Sequence, residues 1–334
     1  MRPHFPHLDS VHPTPSKLIA FFLPQYYPIP ENDKWWGKGF TEWRNAVNAC
    51  PLFRGHEQPR LPADLGFYDM RVPETRAAQA DLARAYSIGA FCYYHYWFHG
   101  RQILERPIND IVASGEPDFP FCLCWANEPW TRTWEKKESI VLMQDTYSDE
   151  DDVAHFKALL PVFRDPRYLK HEGCPVFTIY NSSRLPNVKA TIARWQKMAR
   201  AHGLPGLYML RTESHREQVG DPRPLGFDAG VQFASMLHKQ RPRWLRGLHK
   251  VRRKLLGRWF PIYHQLVEDY RDNTRRTLAE PAPDYPRHPC VIPDWDNTAR
   301  RQKDGFVIRN STPRTLRRTT PPGLGPRPDR LRVH

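Results

Sequence analysis

The sequence predicts an α/β fold, a (β/α)8 barrel of the TIM type that is incomplete because its eighth strand is missing. Short apolar runs without polar alternation are typical of strands in a parallel sheet that is covered on both faces. Helical patterns lie between these runs, which is the rhythm of a barrel or a doubly wound sheet. No GxGxxG or GxxxxGK[ST] motif follows any run, which disfavours a nucleotide-binding open sheet. The 334 residues are enough for one barrel with insertions.

Seven candidate strands can be identified along the chain. Four are well defined, namely Lys17–Leu23, Ala90–Trp97, Phe119–Trp125 and Pro175–Tyr180. Three are weaker, namely Leu207–Leu210, Asp228–Phe233 and Cys290–Trp295. Seven strands are one short of a closed (β/α)8 barrel.

Three segments between the strands have helical spacing and termination signals. Pro73–Ser87 begins with a proline, and Asp149–Phe163 has an acidic first turn. Asn187–His202 is followed by Gly203, a residue favoured just after a helix end. These three segments are predicted to be helices.

The chain divides into a barrel domain over residues 17–312 with a flexible N-terminus at 1–16. A basic segment at 239–280 interrupts the strand–helix rhythm, and residues 313–334 form an Arg/Pro-rich tail. The apolar residues of the basic segment are spaced as in an amphipathic helix. Such a helix either packs one face on the protein or lies on an anionic membrane surface through residues 239–258.

The positive charge is concentrated rather than spread. Residues 239–258 hold nine Lys or Arg and no acid, and residues 313–334 have a net charge of +5, so the rest of the chain is neutral within the total of +14. A folded body that binds nucleic acid is expected to carry its basic charge across that body. We therefore predict no nucleic-acid partner.

The cysteines and the absence of targeting segments predict a cytoplasmic protein. None of the six cysteines forms a CxxC pair, and four lie in or beside apolar strands, as reduced buried thiols do. The first 16 residues lack the apolar core of a secretory signal, and no stretch of about 18 apolar residues could span a membrane.

Aromatic, amide and carboxylate side chains follow four of the predicted strands, at the end of a barrel where functional groups collect. Aromatic planes pack on the C–H faces of sugar rings, and hydroxyl groups need paired donors and acceptors. Any one aromatic residue at a strand end is as easily explained by core packing, but four strand ends agree. We predict glycan contacts from the following residues: Gln25, Tyr26, Trp43, Tyr94, Tyr96, Trp97, Asn127, Trp130, Trp295, Asp296 and Asn297.

Glu128 and Glu42 are the candidate catalytic carboxylates. Glu128 lies between Trp125 and Trp130, and desolvation by these rings is expected to raise its pKa towards that of a general acid. Alternatively, Glu128 only orients substrate hydroxyls, and Glu42 forms a structural ion pair with Arg44 or another arginine. Glycoside cleavage needs two carboxyl groups about 5–10 Å apart.

A metal site is not predicted, and no cofactor is expected. His95 and His99 have HxxxH spacing, but on a strand they lie about 13 Å apart, too far to share one ion.

Four motifs carry a resemblance to a known family: FFLPQYYPIPENDKWWGKGFTEWRNA, FCYYHYWFHGRQILERPIN, FPFCLCWANEPWTRTW and CVIPDWDNTARR. They resemble the WbsX-type family, which is also described as glycoside hydrolase family 99-like, in the expected order from about Lys17 to Thr312. Members occur in bacterial loci for O-antigen and other surface polysaccharides and were labelled glycosyltransferases. The resemblance implies a barrel that acts on glycans without a metal.

One family feature is not found in the sequence. The resemblance implies a final strand ending in N-E-W-x-E-G, whose two glutamates correspond to the catalytic pair of the family 99 hydrolases, and this motif is absent. After Pro313 the chain contains many Arg and Pro residues instead, which is expected from a frameshift or truncation; a genuine interaction tail is the alternative. We expect the chain to be inactive by the family mechanism, with unpaired strand edges.

Two functions remain as hypotheses from different classes. The first is a carbohydrate-active protein of surface-polysaccharide metabolism that cleaves or transfers glycosyl units. The second is a non-catalytic glycan-binding or scaffold protein. A nucleotide-sugar transferase is less favoured, because no glycine loop that cradles phosphate follows a strand.

Overall fold

A computed structural model of the chain describes residues 17–132, 140–143, 147–233, 248, 251–252, 254–256, 262, 265–301 and 305–317. The predicted flexible N-terminus at 1–16, most of the basic segment at 239–258 and residues 318–334 of the tail lie outside this part of the chain. Their predicted roles, including contact with an anionic membrane, stay predictions.

The strands are numbered in chain order. They are β1 (Leu18–Phe22), β2 (Ile88–Phe98), β3 (Arg101–Ile103), β4 (Phe121–Trp125), β5 (Trp130–Arg132), β6 (Ile140–Met143), β7 (Lys170–His171), β8 (Cys174–Ile179), β9 (Tyr208–Thr212), β10 (Ala229–Val231), β11 (Leu266–Asp269), β12 (Arg287–His288) and β13 (Phe306–Arg309).

The helices are α1 (Pro30–Trp36), α2 (Glu42–Val47), α3 (Pro73–Ala85), α4 (Arg106–Ser114), α5 (Asp149–Arg164), α6 (Val188–Ala201), α7 (Tyr270–Ala279) and α8 (Pro313–Arg317). The three predicted helices are confirmed as α3, α5 and α6. The Ser148 side chain caps α5 by accepting from the Asp151 N–H, and Asn187 caps α6 in the same way. Gly203 follows α6 with a φ of 83°, a conformation that favours glycine.

Seven parallel strands form the main sheet in the order β1–β2–β4–β8–β9–β10–β12. β3 and β7 add short antiparallel pairings to β2 and β8. The sheet curls, because the ring of Phe21 on β1 lies 5.6 Å from that of Phe233, just beyond β10. The predicted fold class is therefore confirmed as an open, incomplete (β/α) barrel.

The two faces of β2 have different neighbours, which decides which side chains reach the barrel interior. The Tyr94 ring stacks on Phe21 of β1, so the even-numbered residues of β2 face inward. The Trp97 ring instead stacks on His155 of α5 at 4.6 Å, so the odd-numbered residues face the helices. A continuous apolar core fills the interface between the sheet and these helices.

The seventh strand does not lie where it was predicted. β12 is two residues long and ends before Pro289, whereas the predicted segment Cys290–Trp295 contains Pro293. Pro289 and Pro293 have no N–H to donate to a strand ladder, which disfavours extension of β12 through this run. The chain instead enters a second sheet, in which β11 and β13 pair in parallel and pack on Tyr270 and Trp295.

The end of the basic segment thus contributes to a small structural unit beside the barrel. Residues 266–279 form β11 and α7, and the tail begins with the short helix α8. None of the helices described is long and apolar enough to cross a membrane.

Candidate functional site

Three neighbouring strands bring Glu128, Asn181 and His215 together at the carboxyl edge of the sheet. They follow β4, β8 and β9, which are adjacent in the sheet. The Asn181 amide donates to Oε1 of Glu128 at 3.1 Å, and Nε2 of His215 lies 3.1 Å from the same oxygen. We call these three residues the Glu128 cluster.

The pKa of Glu128 is lower than that of an ordinary glutamate, so the expectation of a raised pKa is wrong. Burial raises this pKa, but the hydrogen bonds from His215 and Asn181 outweigh burial, with help from the positive charges of His215 and Arg184. Trp125 does not desolvate the carboxylate as expected, since it stacks on Trp195 in the helix layer. Glu128 is therefore ionised at neutral pH.

Asn127, which was predicted to contact substrate, is fully buried and holds the neighbouring strand end instead. Its amide donates to the Asn181 carbonyl at 2.6 Å, and its Oδ1 accepts from the Asn181 N–H at 2.7 Å. This pair of bonds fixes the backbone of Asn181. Asn127 therefore contacts the Glu128 cluster from its buried side, through Asn181.

A second polar group lies at the ends of β1 and β2. One guanidinium nitrogen of Arg300 donates to Oε1 of Glu42 at 2.5 Å and to Oε1 of Gln25 at 2.7 Å. Gln25 in turn donates to the Tyr96 hydroxyl at 3.0 Å. We call Gln25, Glu42, Tyr96 and Arg300 the Arg300 cluster.

Glu42 makes the kind of ion pair that the sequence offered as the alternative to a catalytic role. Glu42 forms an ion pair with an arginine, and it also accepts from Asn45 at 3.0 Å. Its side chain is only 12% exposed, whereas that of Glu128 is 43% exposed. Glu42 and Glu128 thus belong to two separate hydrogen-bond networks.

Aromatic rings surround both clusters. The Trp130 ring meets the edge of Tyr96 at 5.3 Å and also contacts Trp35. Tyr26 packs on Trp43 at 4.5 Å, and the Trp43 indole N–H donates to the Tyr68 carbonyl. Within this group Trp130 contacts the Arg300 cluster through Tyr96, and in the sequence it follows Glu128 by two residues.

Tyr94 faces the barrel interior beneath the Glu128 cluster. Its ring lies 5.8 Å from Phe21 and 6.1 Å from Tyr180, the residue before Asn181. Burial raises the pKa of Tyr94 and of Tyr180, so both phenols are neutral. These rings form an apolar floor for the edge of the sheet.

Trp97 lies away from the other predicted glycan contacts. Its indole N–H donates to both carboxylate oxygens of Asp151 at 3.0 and 3.1 Å, on the helix side of the sheet. The side chain is buried, and its ring is covered by His155. The structure gives Trp97 a role in packing.

Trp295, Asp296 and Asn297 lie in the second sheet and its junction with the barrel. Asp296 is fully buried, with Oδ2 at 2.8 Å from both His56 and Gln58. Hydrogen bonds to these groups and to Thr298 outweigh burial and lower the pKa of Asp296. Asn297 accepts from the Phe306 N–H at 2.7 Å, so the Asp296 and Asn297 side chains are occupied by structural contacts.

The sequence reasoning missed Asn181, His215 and Arg300. Asn181 and His215 follow apolar runs in the segments YNSS and RTESH. Functional groups of a barrel collect after the carboxyl ends of its strands, which we call the strand-end rule. Applied to β8 and β9, this rule would have found both residues. Arg300 has no such signal, because its partner Glu42 is 258 residues away.

The parts of the chain described contain no group of three or more His, Cys, Asp or Glu arranged to hold a metal ion. His95 contacts His155 through their Nε2 atoms at 2.8 Å rather than His99. A groove at the opposite edge of the sheet is lined by Lys17, Lys170 and Arg167. Arg167 already donates to Asp165 and to two carbonyls, so the groove is less suited to chemistry than the rim.

Comparisons with known proteins agree with the resemblance in the motifs. A family model described as Glycosyltransferase WbsX matches residues 18–321. The chain is 41% identical over 303 residues to the uncharacterized protein WxcX of Xanthomonas campestris pv. campestris, in strain B100 and in strain ATCC 33913. This match covers 91% of the chain but 42% of WxcX, so the chain spans less than half the length of these curated relatives.

Solved structures show weaker similarity. A GH99 endo-α-mannosidase from Bacteroides thetaiotaomicron is 12% identical with a TM-score of 0.44, covering 85% of this chain and 72% of the mannosidase. A glycoside hydrolase-like protein is 14% identical with a TM-score of 0.48, covering 93% of this chain and 82% of the other.

Proposed function

The chain belongs to the WbsX glycosyltransferase family, and from this premise we propose that it binds a glycan at the Glu128 cluster and cleaves or transfers a glycosyl unit there. The single observation that carries the proposal is the ionised, half-exposed Glu128 carboxylate, fixed by Asn181 and His215 at the carboxyl edge of a parallel sheet. Functional groups of barrel proteins collect at this edge.

The arrangement of the Glu128 cluster favours specific chemistry. Both contacts of the carboxylate with the described residues go to Oε1, and the side chain is 43% exposed, so we expect Oε2 to be accessible to an incoming group. An ionised carboxylate accepts a proton or a hydrogen bond from a sugar hydroxyl, or attacks the anomeric carbon as the bond from that carbon to the glycosidic oxygen breaks and this oxygen takes a proton from water. Because its pKa is lowered, Glu128 serves in these roles and not as the general acid.

Nearby groups suit the remainder of a glycan. The half-exposed Arg300 side chain supplies donors, and the Trp130 ring packs on Tyr96 of the same cluster as an apolar surface. Sugar recognition combines such rings with a few fixed polar groups. We extend the proposal to bacterial surface polysaccharide of the O-antigen type as the substrate class and to the cytoplasm as the location.

One observation favours glycan binding without turnover as the second candidate. Glycoside cleavage normally uses two carboxyl groups. Glu42, the other predicted catalytic carboxylate, is neutralised by Arg300 and held by Asn45. A protein of this kind would hold the glycan at the same residues.

The experiment is a titration of the purified chain with defined oligosaccharides from O-antigen polysaccharides, followed by mass spectrometry of the mixtures. Saturable binding with new products supports cleavage or transfer, and saturable binding without products supports the second candidate. Glu128→Gln should abolish turnover and weaken binding, whereas Glu217→Gln is the matched control because Glu217 is exposed beyond β9. No binding to any oligosaccharide, or equal behaviour of the two variants, would refute the proposal.

A further inference from the structure

His215 is fixed on two sides, between the Glu128 carboxylate and the loop that follows β9. Its Nε2 lies 3.1 Å from Oε1 of Glu128. Its Nδ1 lies 3.0 Å from the Ser214 hydroxyl and 3.1 Å from the side-chain amide of Gln218. Because an ionised carboxylate only accepts hydrogen bonds, Nε2 of His215 must carry a proton.

The residues behind the imidazole are buried and hydrogen-bonded, which makes the position of the ring rigid. Gln218 is 1% exposed and also contacts the Asn181 amide at 3.1 Å. Ser214 is 3% exposed and donates to the Tyr180 carbonyl at 2.8 Å. A side chain supported in this way holds its partner in one orientation.

The titratable and charged groups that face Glu128 come from three segments. His215 follows β9, Tyr180 directly follows β8, and Arg184 lies in the turn of 3-10 helix at Ser182–Arg184. His215 is the member of this set that makes a direct hydrogen bond to the carboxylate, and Arg184 acts through its charge. Tyr180 is neutral because burial raises its pKa.

We propose that His215 is a positioning residue, which holds Oε1 of Glu128 so that Oε2 is presented to the glycan in one orientation. This inference rests on the proposed function of Glu128. Without the imidazole, one of the two bonds that fix the carboxylate is lost, and the carboxylate rotates about its remaining bond to Asn181. Glu128 then takes up a proton at a higher pH and presents its free oxygen in more than one direction.

The experiment measures the titration of Glu128 directly in the full chain. Glutamate is labelled with 13C at the carboxyl carbon, and the Glu128 signal is assigned as the one missing in Glu128→Gln. In wild type its midpoint should lie below about 4.3, the value of an ordinary glutamate. In His215→Ala the midpoint should rise by about one pH unit, since a charge-assisted hydrogen bond is lost.

Two further variants make the result decisive. His215→Gln keeps a donor but not the charge of an imidazolium, so its midpoint should rise by less, and it gives the answer if His215→Ala does not fold. His99→Gln is the matched control, because His99 is exposed on the turn that follows β2. This replacement should leave the titration midpoint of Glu128 unchanged. A Glu128 midpoint that stays at the wild-type value in both His215 variants would overturn the proposal.

Oligosaccharide affinity separates this inference from the proposed function. His215→Ala should bind the oligosaccharide about tenfold more weakly than wild type, as expected for loss of a charged hydrogen bond. As the pH is lowered, the variant should lose its affinity at a higher pH than wild type does. If wild type binds no oligosaccharide, the proposed function fails, while the titration still reports whether His215 positions Glu128. If binding is present but identical in wild type and His215→Ala, the positioning role is refuted.

Discussion

Asn127 is the residue whose replacement tests most clearly how the rim is held together. Its amide and its carbonyl oxygen bind the C=O and the N–H of Asn181 at 2.6 and 2.7 Å, and its side chain has no access to solvent. Asn127→Ala removes both bonds. The Asn181 carbonyl keeps the Arg184 N–H as a partner at 3.3 Å, but no other partner for the Asn181 N–H is described.

The expected loss of stability follows from these contacts. Two net hydrogen bonds contribute about 0.5–1.5 kcal/mol each, and a buried N–H left without a partner costs about 1–3 kcal/mol. Because these quantities overlap, we expect Asn127→Ala to lower the free energy of unfolding by about 2–4 kcal/mol. Asn127→Asp should be at least as harmful, because an oxygen then faces the Asn181 carbonyl.

Urea unfolding followed by tryptophan fluorescence measures this difference. Asn109→Ala is the matched control, since Asn109 is exposed on α4 and its replacement should change stability by less than about 0.5 kcal/mol. The displaced Asn181 should also weaken oligosaccharide binding in Asn127→Ala. If that variant is as stable as the control but binds the oligosaccharide less tightly, Asn127 is a direct glycan contact and the reasoning is wrong.

Three further predictions concern residues away from the Glu128 cluster. Trp97→Phe should lower the free energy of unfolding by about 1–3 kcal/mol, because the hydrogen bond from the indole N–H to Asp151 is lost, and should leave glycan affinity unchanged. A variant with wild-type stability and weaker glycan binding would contradict this prediction. Asp296→Asn should lower the free energy of unfolding by about 2–4 kcal/mol, because it disrupts a fully buried, hydrogen-bonded carboxylate. Urea unfolding measures this change, and an unchanged urea midpoint would show that Asp296 is not structural. Burial lowers the pKa of His95 to about 3, below the value near 6.5 of an unfolded chain. The stability that depends on neutral His95 is therefore complete above about pH 6.5 and is lost as the pH falls towards 3. His95→Gln should therefore lose less stability between pH 7 and pH 4 than wild type, and an equally steep loss would show that burial of the His95–His155 pair has no such effect.

The strands that the sequence predicted well are those with continuous apolar runs. β2, β4 and β8 were found because burial on both faces leaves a mostly apolar run, and β1 was found because its five residues are all apolar although it is more exposed. The seventh strand was misplaced because Cys290–Trp295 contains a short apolar stretch, whereas Pro289 before this stretch and Pro293 after it disfavour strand pairing.

The site residues could be predicted only where their contacts follow from neighbouring positions in the sequence. The strand-end rule correctly brought Glu128 to the rim, but alternation along β2 turns Trp97 to the helices while Tyr96 faces inward. Sequence order also could not show that Arg300 neutralises Glu42, or that Asp296 is buried against His56, because these contacts join residues more than 200 positions apart.

The pKa of Glu128 could not be predicted for a related reason. The prediction used its neighbours in sequence, Trp125 and Trp130, which implied desolvation. The carboxylate instead takes its partners from the ends of β8 and β9, and these hydrogen bonds stabilise the charged form.

The most direct test of the central claim is a crystal structure of the chain with the oligosaccharide that binds it most tightly. The account predicts a sugar hydroxyl or ring carbon next to Oε2 of Glu128, with Trp130 against the glycan and His215 still bonded to Oε1. A glycan bound elsewhere, for example in the groove beside Lys17 and Lys170 at the other edge of the sheet, with the Glu128 cluster empty, would contradict it.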